Sequence, residues 1–354
     1  MNNELLKALC DACAVSGDEQ EVRQILIRTL EPHADELTFD GLGSVMARKG
    51  DSGPRVAIVG HMDEVGLMVS HIRDDGFLCF STIGSWWNQS MLNHRVTIRT
   101  RSGDHIPGMI GSVAPHALSE KQKQQPMDFA DMFIDIGANS RDDVEKRGIA
   151  IGDFISPKAN YARWGADRIV AKALDNRAGC ALMAELFLTV ENPHITLFGV
   201  GSVEEEVGLR GAQTTAECIR PDLAIVLDTA VAGDVPGIDT VKFPLRLGAG
   251  PAAVLFDKRY FPNQKLTALL TAYARQCELP LQFSIMKTGA TDGGRYNVMG
   301  GGRPVLALCL PTRYLHANSS MIAAPDYDAL LTLLRALLMA LDADTVAALR
   351  DFRE

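Results

Sequence analysis

The sequence has no block of basic residues, no long apolar run and no paired cysteine pattern. Its 354 residues carry 35 lysines and arginines against 44 aspartates and glutamates, a formal net charge of −9. A nucleic-acid or anionic-membrane partner normally requires a basic surface, so we expect neither. Residues 329–341 are strongly apolar, but they include Arg335 and fall short of the ~20 residues of a membrane span. We expect a buried C-terminal helix there.

The seven cysteines are odd in number and scattered, which is not typical of a disulfide framework. The first residues carry Glu4, Lys7 and Asp11 where a signal peptide would need an apolar core. Both observations predict a cytoplasmic protein. Cys10 and Cys13 have a C-x-x-C spacing, but no second pair or neighbouring histidine completes a zinc site. They are therefore interpreted as small core residues of a first helix rather than as a redox pair.

Two patterns alternate along the chain. After Trp164, apolar strand-like runs alternate with helical periodicity, which predicts a mostly parallel sheet covered by helices on both faces. Residues 66–161 instead contain short alternating segments separated by turn residues, as in successive hairpins. We therefore predict an α/β domain of residues 1–65 and 162–354, with residues 66–161 inserted as a small β-barrel.

Two sequence patterns predict where helices begin. Ser16 followed by Glu19 is a capping-box pattern and predicts a helix over about residues 18–30. Asp175 opens a second helical pattern, with apolar residues at helical spacing after it.

Metal-ligating side chains follow several predicted strands at the point where each strand ends. Because such ends meet at one edge of an open α/β sheet, where ligands bind, we expect these side chains to converge. Burying their uncompensated charge together would cost several kcal/mol unless a cation neutralised it. The candidates are His61, Asp63, Glu204, Glu205, Glu206, Asp228 and His316, with Asp175 at the start of a helix.

The mixture of imidazole and carboxylate ligands favours a particular kind of ion. Zn²⁺ and Co²⁺ accept such mixed sets, whereas Mg²⁺ and Ca²⁺ prefer oxygen alone. One catalytic ion typically uses three protein ligands, so this set is too large for a single ion. It suits two divalent ions about 3.5–4 Å apart that share a carboxylate and a water.

Five ordered segments resemble the signature segments of the di-metal aminopeptidases that assemble as tetrahedral dodecamers. Members of that family are often labelled glutamyl aminopeptidases, and some are labelled endoglucanases. The resemblance covers essentially the whole chain and implies a PDZ-like inserted barrel used in dimerisation. The segments are residues 60–66 (GHMDEVG), 172–177 (KALDNR), 205–212 (EEVGLRGA), 225–228 (IVLD) and 313–316 (RYLH).

The resemblance also implies a ligand set for two metal ions. Asp175 would bridge the ions. His61 and Asp228 would complete the shell of one ion, and Glu206 and His316 would complete the shell of the other.

The remaining site residues take other roles under the same resemblance. Glu205 would be the general base, and Asp63 would orient His61, since a metal-bound imidazole needs an acceptor for its second N–H. Asp292 and Gly293 lie in a polar, glycine-rich stretch that is interpreted either as part of the substrate pocket or as a simple turn.

The expected function is therefore release of N-terminal residues from short peptides, with a water activated between two metal ions and Glu205 as base. Dimers and a dodecamer are the expected assemblies. Two alternatives stay open. A metal-independent glycoside hydrolase would use two carboxylates, but it gives His61 and His316 no role. A non-catalytic assembly protein could also use a peptidase scaffold.

Overall fold

The computed structural model describes residues 1–353, and strands and helices alternate through most of them. The strands are β1 (Glu36–Phe39), β2 (Val45–Lys49), β3 (Arg55–His61), β4 (Gly66–Ile72), β5 (Leu78–Ile83), β6 (Arg95–Arg99), β7 (His105–Gly111), β8 (Phe133–Asp135), β9 (Phe154–Pro157), β10 (Ala162–Trp164), β11 (Arg168–Ala171), β12 (Thr196–Ser202), β13 (Leu223–Val231), β14 (Ala252–Phe256), β15 (Gln282–Ile285), β16 (Val305–Thr312) and β17 (Ser320–Ala323). The helices are α1 (Asn3–Asp11), α2 (Gln20–Leu30), α3 (Glu120–Lys123), α4 (Arg141–Lys146), α5 (Leu174–Thr189), α6 (Arg210–Ile219), α7 (Gln264–Gln276), α8 (Gly293–Val298), α9 (Ala324–Met339) and α10 (Ala343–Ala348).

An eight-stranded mixed sheet forms the centre, in the order β1-β2-β12-β3-β13-β16-β14-β15. Its four middle strands, β12, β3, β13 and β16, are mutually parallel. β2 and β14 flank them in antiparallel orientation. The edge strand β15 pairs with β14 in parallel. The predicted α/β fold with a central sheet is confirmed, and most of its parallel pairing lies in the middle region.

Helices bury both faces of the sheet, which explains why the middle strands are apolar almost throughout. On one face, residues of α1, α2, α5, α7 and α9 form a single apolar cluster with the strands. On the other face, α6 and α8 contribute to a second cluster. The predicted C-terminal helix is confirmed as the buried α9. No helix within residues 1–353 is long and apolar enough to cross a bilayer.

The chain forms a closed antiparallel barrel after β3, with its strands in the order β4-β5-β8-β7-β6-β9. Its interior is filled by aliphatic side chains that include Leu67, Ile98 and Ile134. The predicted barrel is therefore confirmed. The exact division at residues 66 and 161, and a role of the barrel in dimerisation, stay predictions.

The start of α2 differs from the capping-box prediction. The helix begins at Gln20, and Glu19 occupies the N-cap without a side-chain capping bond. The Ser16 hydroxyl instead donates to Asp63 across a sequence separation of 47 residues. A tertiary hydrogen bond has thus replaced the local one that the pattern predicts.

A buried ion cluster joins the N-terminal segment to β3 and α5. The Glu64 carboxylate accepts from Lys172 Nζ at 2.6 Å and from Arg177 Nη2 at 3.0 Å. All three side chains are almost completely buried. The Arg177 guanidinium also donates to the carbonyls of Leu9, Ala12, Ala14 and Met62. One side chain therefore satisfies acceptors from two separate segments.

We expect Arg177→Met to lower the free energy of unfolding by about 3–5 kcal/mol, because it removes one of the two cations paired with the buried Glu64 carboxylate and leaves several buried carbonyls without their donor. Urea denaturation at fixed protein concentration measures the change. Arg73→Met is the matched control, since Arg73 pairs with Asp75 at the surface, and its midpoint should stay close to that of the unsubstituted protein. Equal midpoints for the two variants would contradict a structural role for the buried cluster.

Candidate metal centre

The loops that follow the parallel strands meet at one edge of the sheet, together with the first turn of α5. Each predicted ligand comes from a different element of this edge, so the topology alone brings together residues that are distant in sequence. They are His61 at the end of β3, Asp175 at the start of α5, Glu205 and Glu206 after β12, Asp228 within β13, and His316 after β16.

Asp175 lies between the two histidines. Its Oδ1 atom is 3.3 Å from His61 Nε2, and its Oδ2 atom is 3.6 Å from His316 Nε2. His61 Nε2 also lies 3.8 Å from Asp228 Oδ1, and His316 Nε2 lies 3.6 Å from Glu206 Oε2. Two groups of three potential ligands therefore share Asp175, and each group is close enough to surround one ion.

Hydrogen bonds fix the ring orientation of both histidines. His61 Nδ1 lies 3.1 Å from the Asp63 carbonyl oxygen and 3.4 Å from the Asp63 carboxylate. His316 Nδ1 lies 2.8 Å from the carbonyl oxygen of Ser85. We assign a proton to each Nδ1, because its neighbours are acceptors. Each Nε2 then faces the carboxylates and would offer its lone pair to a metal ion bound between them, as metal-binding histidines do.

The buried carboxylate of Asp63 also holds the glutamate loop. It accepts the backbone N–H of Glu205 at 3.0 Å and that of Glu206 at 3.1 Å. Its third donor is the Ser16 hydroxyl at 2.7 Å. Asp63 thus positions both glutamates in addition to contacting His61.

Ser16 and Ser85 were missed by the sequence reasoning, and each supports the site from outside the sheet edge. The local pattern around Ser16 indicates a helix cap instead. Ser85 contributes only its carbonyl oxygen, which any residue type could supply, so no residue signal could have identified it. Ser85 lies between barrel strands β5 and β6, so the inserted segment reaches the centre.

The centre collects more negative charge than the chain itself balances. Its carboxylates face two histidines, and no lysine or arginine among residues 1–353 forms an ion pair with them. The carboxylates belong to Asp63, Asp175, Glu205, Glu206, Asp228 and Asp292.

The pKa values reflect this excess charge. Burial and the neighbouring Asp175 raise the pKa of Glu206 to about 8. Burial also raises the pKa of Glu205 well above its usual range, against the opposing charge of His61. Burial alone would lower the pKa of His316, but Asp175 and Glu206 raise it to about 9. A divalent cation would neutralise this charge, and the nitrogen and oxygen donors suit Zn²⁺ or Co²⁺. The donor set therefore fits a metal.

Access to the centre is from one side. The His316 side chain is 34% exposed, whereas His61 is 2% exposed. A small cleft beside the centre is lined by Asp175, Glu206 and His316, together with Ala173 and Ala317. A ligand can therefore approach from the His316 side.

Asp292 and Gly293 lie behind this edge and are buried. Asp292 is 1% exposed, and one of its carboxylate oxygens accepts from the Ser202 hydroxyl at 2.6 Å. Burial and the resulting loss of hydration raise the pKa of Asp292 to about 7, against the opposing charge of His61. Neither residue lines the cleft. Their assignment to a substrate pocket stays a prediction.

Fold and site together define an α/β protein with an inserted barrel and a candidate metal centre, and comparison with known proteins identifies its family. The M42 glutamyl aminopeptidase family model matches residues 43–333. The putative aminopeptidase FrvX of Escherichia coli (strain K12) is 73% identical over 354 residues, which cover 100% of this chain and 99% of that protein. The chain belongs to the M42 aminopeptidase family, so the resemblance found in the sequence is confirmed.

Solved structures agree with this assignment over nearly the whole chain. A TET aminopeptidase from the marine sediment archaeon Thaumarchaeota archaeon SCGC AB-539-E09 superposes with a TM-score of 0.94 at 39% identity, covering 98% of each chain. The TET1 peptidase of Pyrococcus horikoshii, which can assemble into a tetrahedron or a large octahedral shell, has a TM-score of 0.85 at 26% identity. That match covers 96% of this chain and 99% of the other.

Proposed function

We propose that this aminopeptidase releases N-terminal residues from short peptides and uses two divalent ions, Zn²⁺ or Co²⁺. His61 and Asp228 would hold one ion, Glu206 and His316 would hold the other, and Asp175 would serve both. The observation that carries the proposal is the position of Asp175, whose two carboxylate oxygens face different histidines at 3.3 and 3.6 Å. A carboxylate with one oxygen on each side suits a bridging ligand.

Divalent ions, when bound, act as Lewis acids that polarise the scissile carbonyl and increase the acidity of a water molecule. The protein supplies the proton transfers. Glu205 lies at the centre, with Oε2 4.0 Å from His61 Nε2, and its side chain accepts no hydrogen bond from residues 1–353. It would take a proton from the attacking water and return it to the departing amine nitrogen as the C–N bond breaks.

Burial supports this role for Glu205. Burial raises the pKa of its carboxyl group well above the usual range, and a carboxylate of higher proton affinity is the stronger general base. Asp63 holds the backbone N–H of Glu205 and thereby positions the base without touching the substrate. Hydrolysis of a panel of aminoacyl-p-nitroanilides, before and after chelation and addition of Zn²⁺ or Co²⁺, tests the proposed reaction.

We further propose that the chain assembles into dimers and a dodecamer, with the barrel segment of residues 66–161 as the dimerisation domain. Large apolar side chains are exposed on this segment, among them Trp87, Met109 and Ile151. Aromatic and methionine side chains are enriched at protein interfaces, so the exposed Trp87 and Met109 are candidate contact residues. The assembly of the Pyrococcus horikoshii relative into closed shells is consistent with this proposal.

Sedimentation velocity should therefore detect a species of twelve chains. Trp87→Ser should shift the population towards smaller species, because Trp87 is 63% exposed and the substitution removes apolar contact area without disturbing the barrel interior. The matched variant is Trp164→Ser, which removes a similarly exposed tryptophan outside the barrel. A stable monomer of the unsubstituted protein would remove the proposed assembly, and equal shifts in both variants would contradict the barrel interface.

A further inference from the structure

A second group of metal-ligating side chains lies where the N-terminal segment meets the barrel. Cys13 follows α1, Glu21 lies in the first turn of α2, and His105 begins β7. The Cys13 sulfur, a carboxylate oxygen of Glu21 and a ring nitrogen of His105 all lie within 4.8 Å of one another. The candidate catalytic centre contains none of these three residues, so the group is separate from it.

Existing contacts hold this group in place. One oxygen of Glu21 accepts the backbone N–H of Cys13 at 2.8 Å, and the other lies 2.6 Å from His105 Nε2. The Ser156 hydroxyl, from barrel strand β9, donates to the Cys13 sulfur at 3.0 Å. Burial raises the pKa of the Cys13 thiol, and Lys172 and the Ser156 hydrogen bond oppose that rise. The thiolate, which is the form of cysteine that binds metals, would form as a bound ion displaces the proton.

The charges near the group leave room for a cation. Two cationic side chains lie near the group. Lys172 lies beside Cys13, with Nζ 2.7 Å from the Ala12 carbonyl, and it is paired with Glu64 at 2.6 Å. Arg99 lies on the other side, with Nε 3.5 Å from a Glu21 oxygen. Its Nη1 atom donates to both carboxylate oxygens of Asp18, at 2.6 and 2.7 Å, and its Nη2 atom donates to Gln20. Asp18 therefore balances the charge of Arg99. A Cys13 thiolate and the Glu21 carboxylate would then carry two negative charges, which one divalent ion neutralises.

We propose that Cys13, Glu21 and His105 form a third divalent-metal site, which binds zinc and fastens the barrel to the N-terminal segment. Thiolate, imidazole and carboxylate are the three ligand types that zinc takes in proteins. Ligand atoms of a tetrahedral zinc ion lie about 3.3–3.7 Å apart, a spacing between the 2.6 Å contact and the 4.8 Å limit observed here. His105 is partly exposed, so water can occupy the fourth position.

The proposed ion would stabilise a segment that supports the catalytic centre. Directly after Cys13, the Ala14 N–H donates to Glu64 at 3.2 Å, and the Ser16 hydroxyl donates to Asp63 at 2.7 Å. Fixing Cys13 to the barrel therefore restricts the chain that carries Ser16. The role of the ion is structural, since none of its three ligands reaches the candidate catalytic residues.

Cobalt substitution tests the site without relying on enzyme activity. Cobalt bound to a thiolate gives a sulfur-to-cobalt charge-transfer band in the near ultraviolet. The candidate catalytic centre has no cysteine ligand, so it does not contribute to this band. The Co²⁺-loaded full-length protein should show the band, and Cys13→Ala and His105→Gln should each abolish it. Elemental analysis of the zinc-loaded protein should show a loss of roughly one metal equivalent per chain in both variants.

Two controls make the result specific. Cys218→Ala removes an exposed thiol and should retain the band, and Asp175→Asn should retain it even though it disturbs the catalytic centre. His105 is at the surface, so its variant remains informative if Cys13→Ala fails to fold. Absence of the band in the unsubstituted protein, or its survival in Cys13→Ala or in His105→Gln, would overturn the proposal.

Discussion

Glu205→Gln should lower kcat by a factor of about 10²–10⁴, the usual contribution of a general base, and leave the metal content unchanged. Glutamine has the same shape but accepts protons poorly, so the variant removes proton transfer and preserves packing. The backbone hydrogen bond from residue 205 to Asp63 does not depend on the side chain and should persist. The measurement is steady-state hydrolysis of aminoacyl-p-nitroanilides, with metal content determined on the same samples.

Glu204 provides the control for this experiment, because it is the neighbouring residue of the same type. Its carboxylate pairs with Arg210 at 2.9 Å, and the glutamates that lie within ion-pair distance of the histidines are Glu205 and Glu206. Glu204→Gln should therefore retain normal turnover. A Glu205→Gln protein that keeps its metals and turns over at a near-normal rate would end the assignment of Glu205 as the base.

Asp175→Asn should lose at least one of the two ions and reduce hydrolysis by more than about 100-fold, a larger effect than substituting a residue that only orients a metal ligand. The amide replaces one oxygen with an NH₂ group, which cannot face a cation. Only the remaining side-chain oxygen of residue 175 can then bind a metal ion. Chelation of the unsubstituted protein should give the same loss of activity, and added Zn²⁺ or Co²⁺ should restore the chelated protein but not the variant.

Asp167→Asn is the matched substitution, since Asp167 pairs with Arg168 near the surface and away from the centre. It should retain its metals and its activity. Full aminopeptidase activity after complete metal removal would contradict the proposed metal dependence. Hydrolysis of β-glucans that survives chelation would instead favour the metal-independent glycosidase alternative.

The sequence predicts the sheet edge well because hydrophobic runs mark the buried strands, and parallel strands must end together. His61, Asp228 and His316 could therefore be placed at one edge from strand positions alone. The hairpin spacing in the inserted segment likewise predicts a barrel, since its aliphatic residues alternate with polar ones along each strand.

Contacts between distant segments account for most of what sequence patterns missed. The edge strand β1 has four residues and is mostly exposed, and its neighbour β2 has only five residues, so their periodicity is weak. Ser16 has a local capping pattern, yet its hydroxyl donates to Asp63. Cys13 has no histidine nearby in sequence, but barrel strand β7 brings His105 to it. Contacts between residues that are distant in sequence depend on how the segments pack, and a local sequence pattern does not predict that packing.

The hydrogen bond from His316 to Ser85 makes the two halves of the candidate centre mechanically unequal. His61 is anchored by Asp63 within its own loop, and Asp63 is in turn held by the Ser16 hydroxyl of the N-terminal segment. His316 is anchored by a carbonyl from between two barrel strands, so a displacement of the barrel would be transmitted to this half first. A displacement of the barrel would therefore act on the His316 half directly through the Ser85 carbonyl, and on the His61 half only through the intervening N-terminal segment.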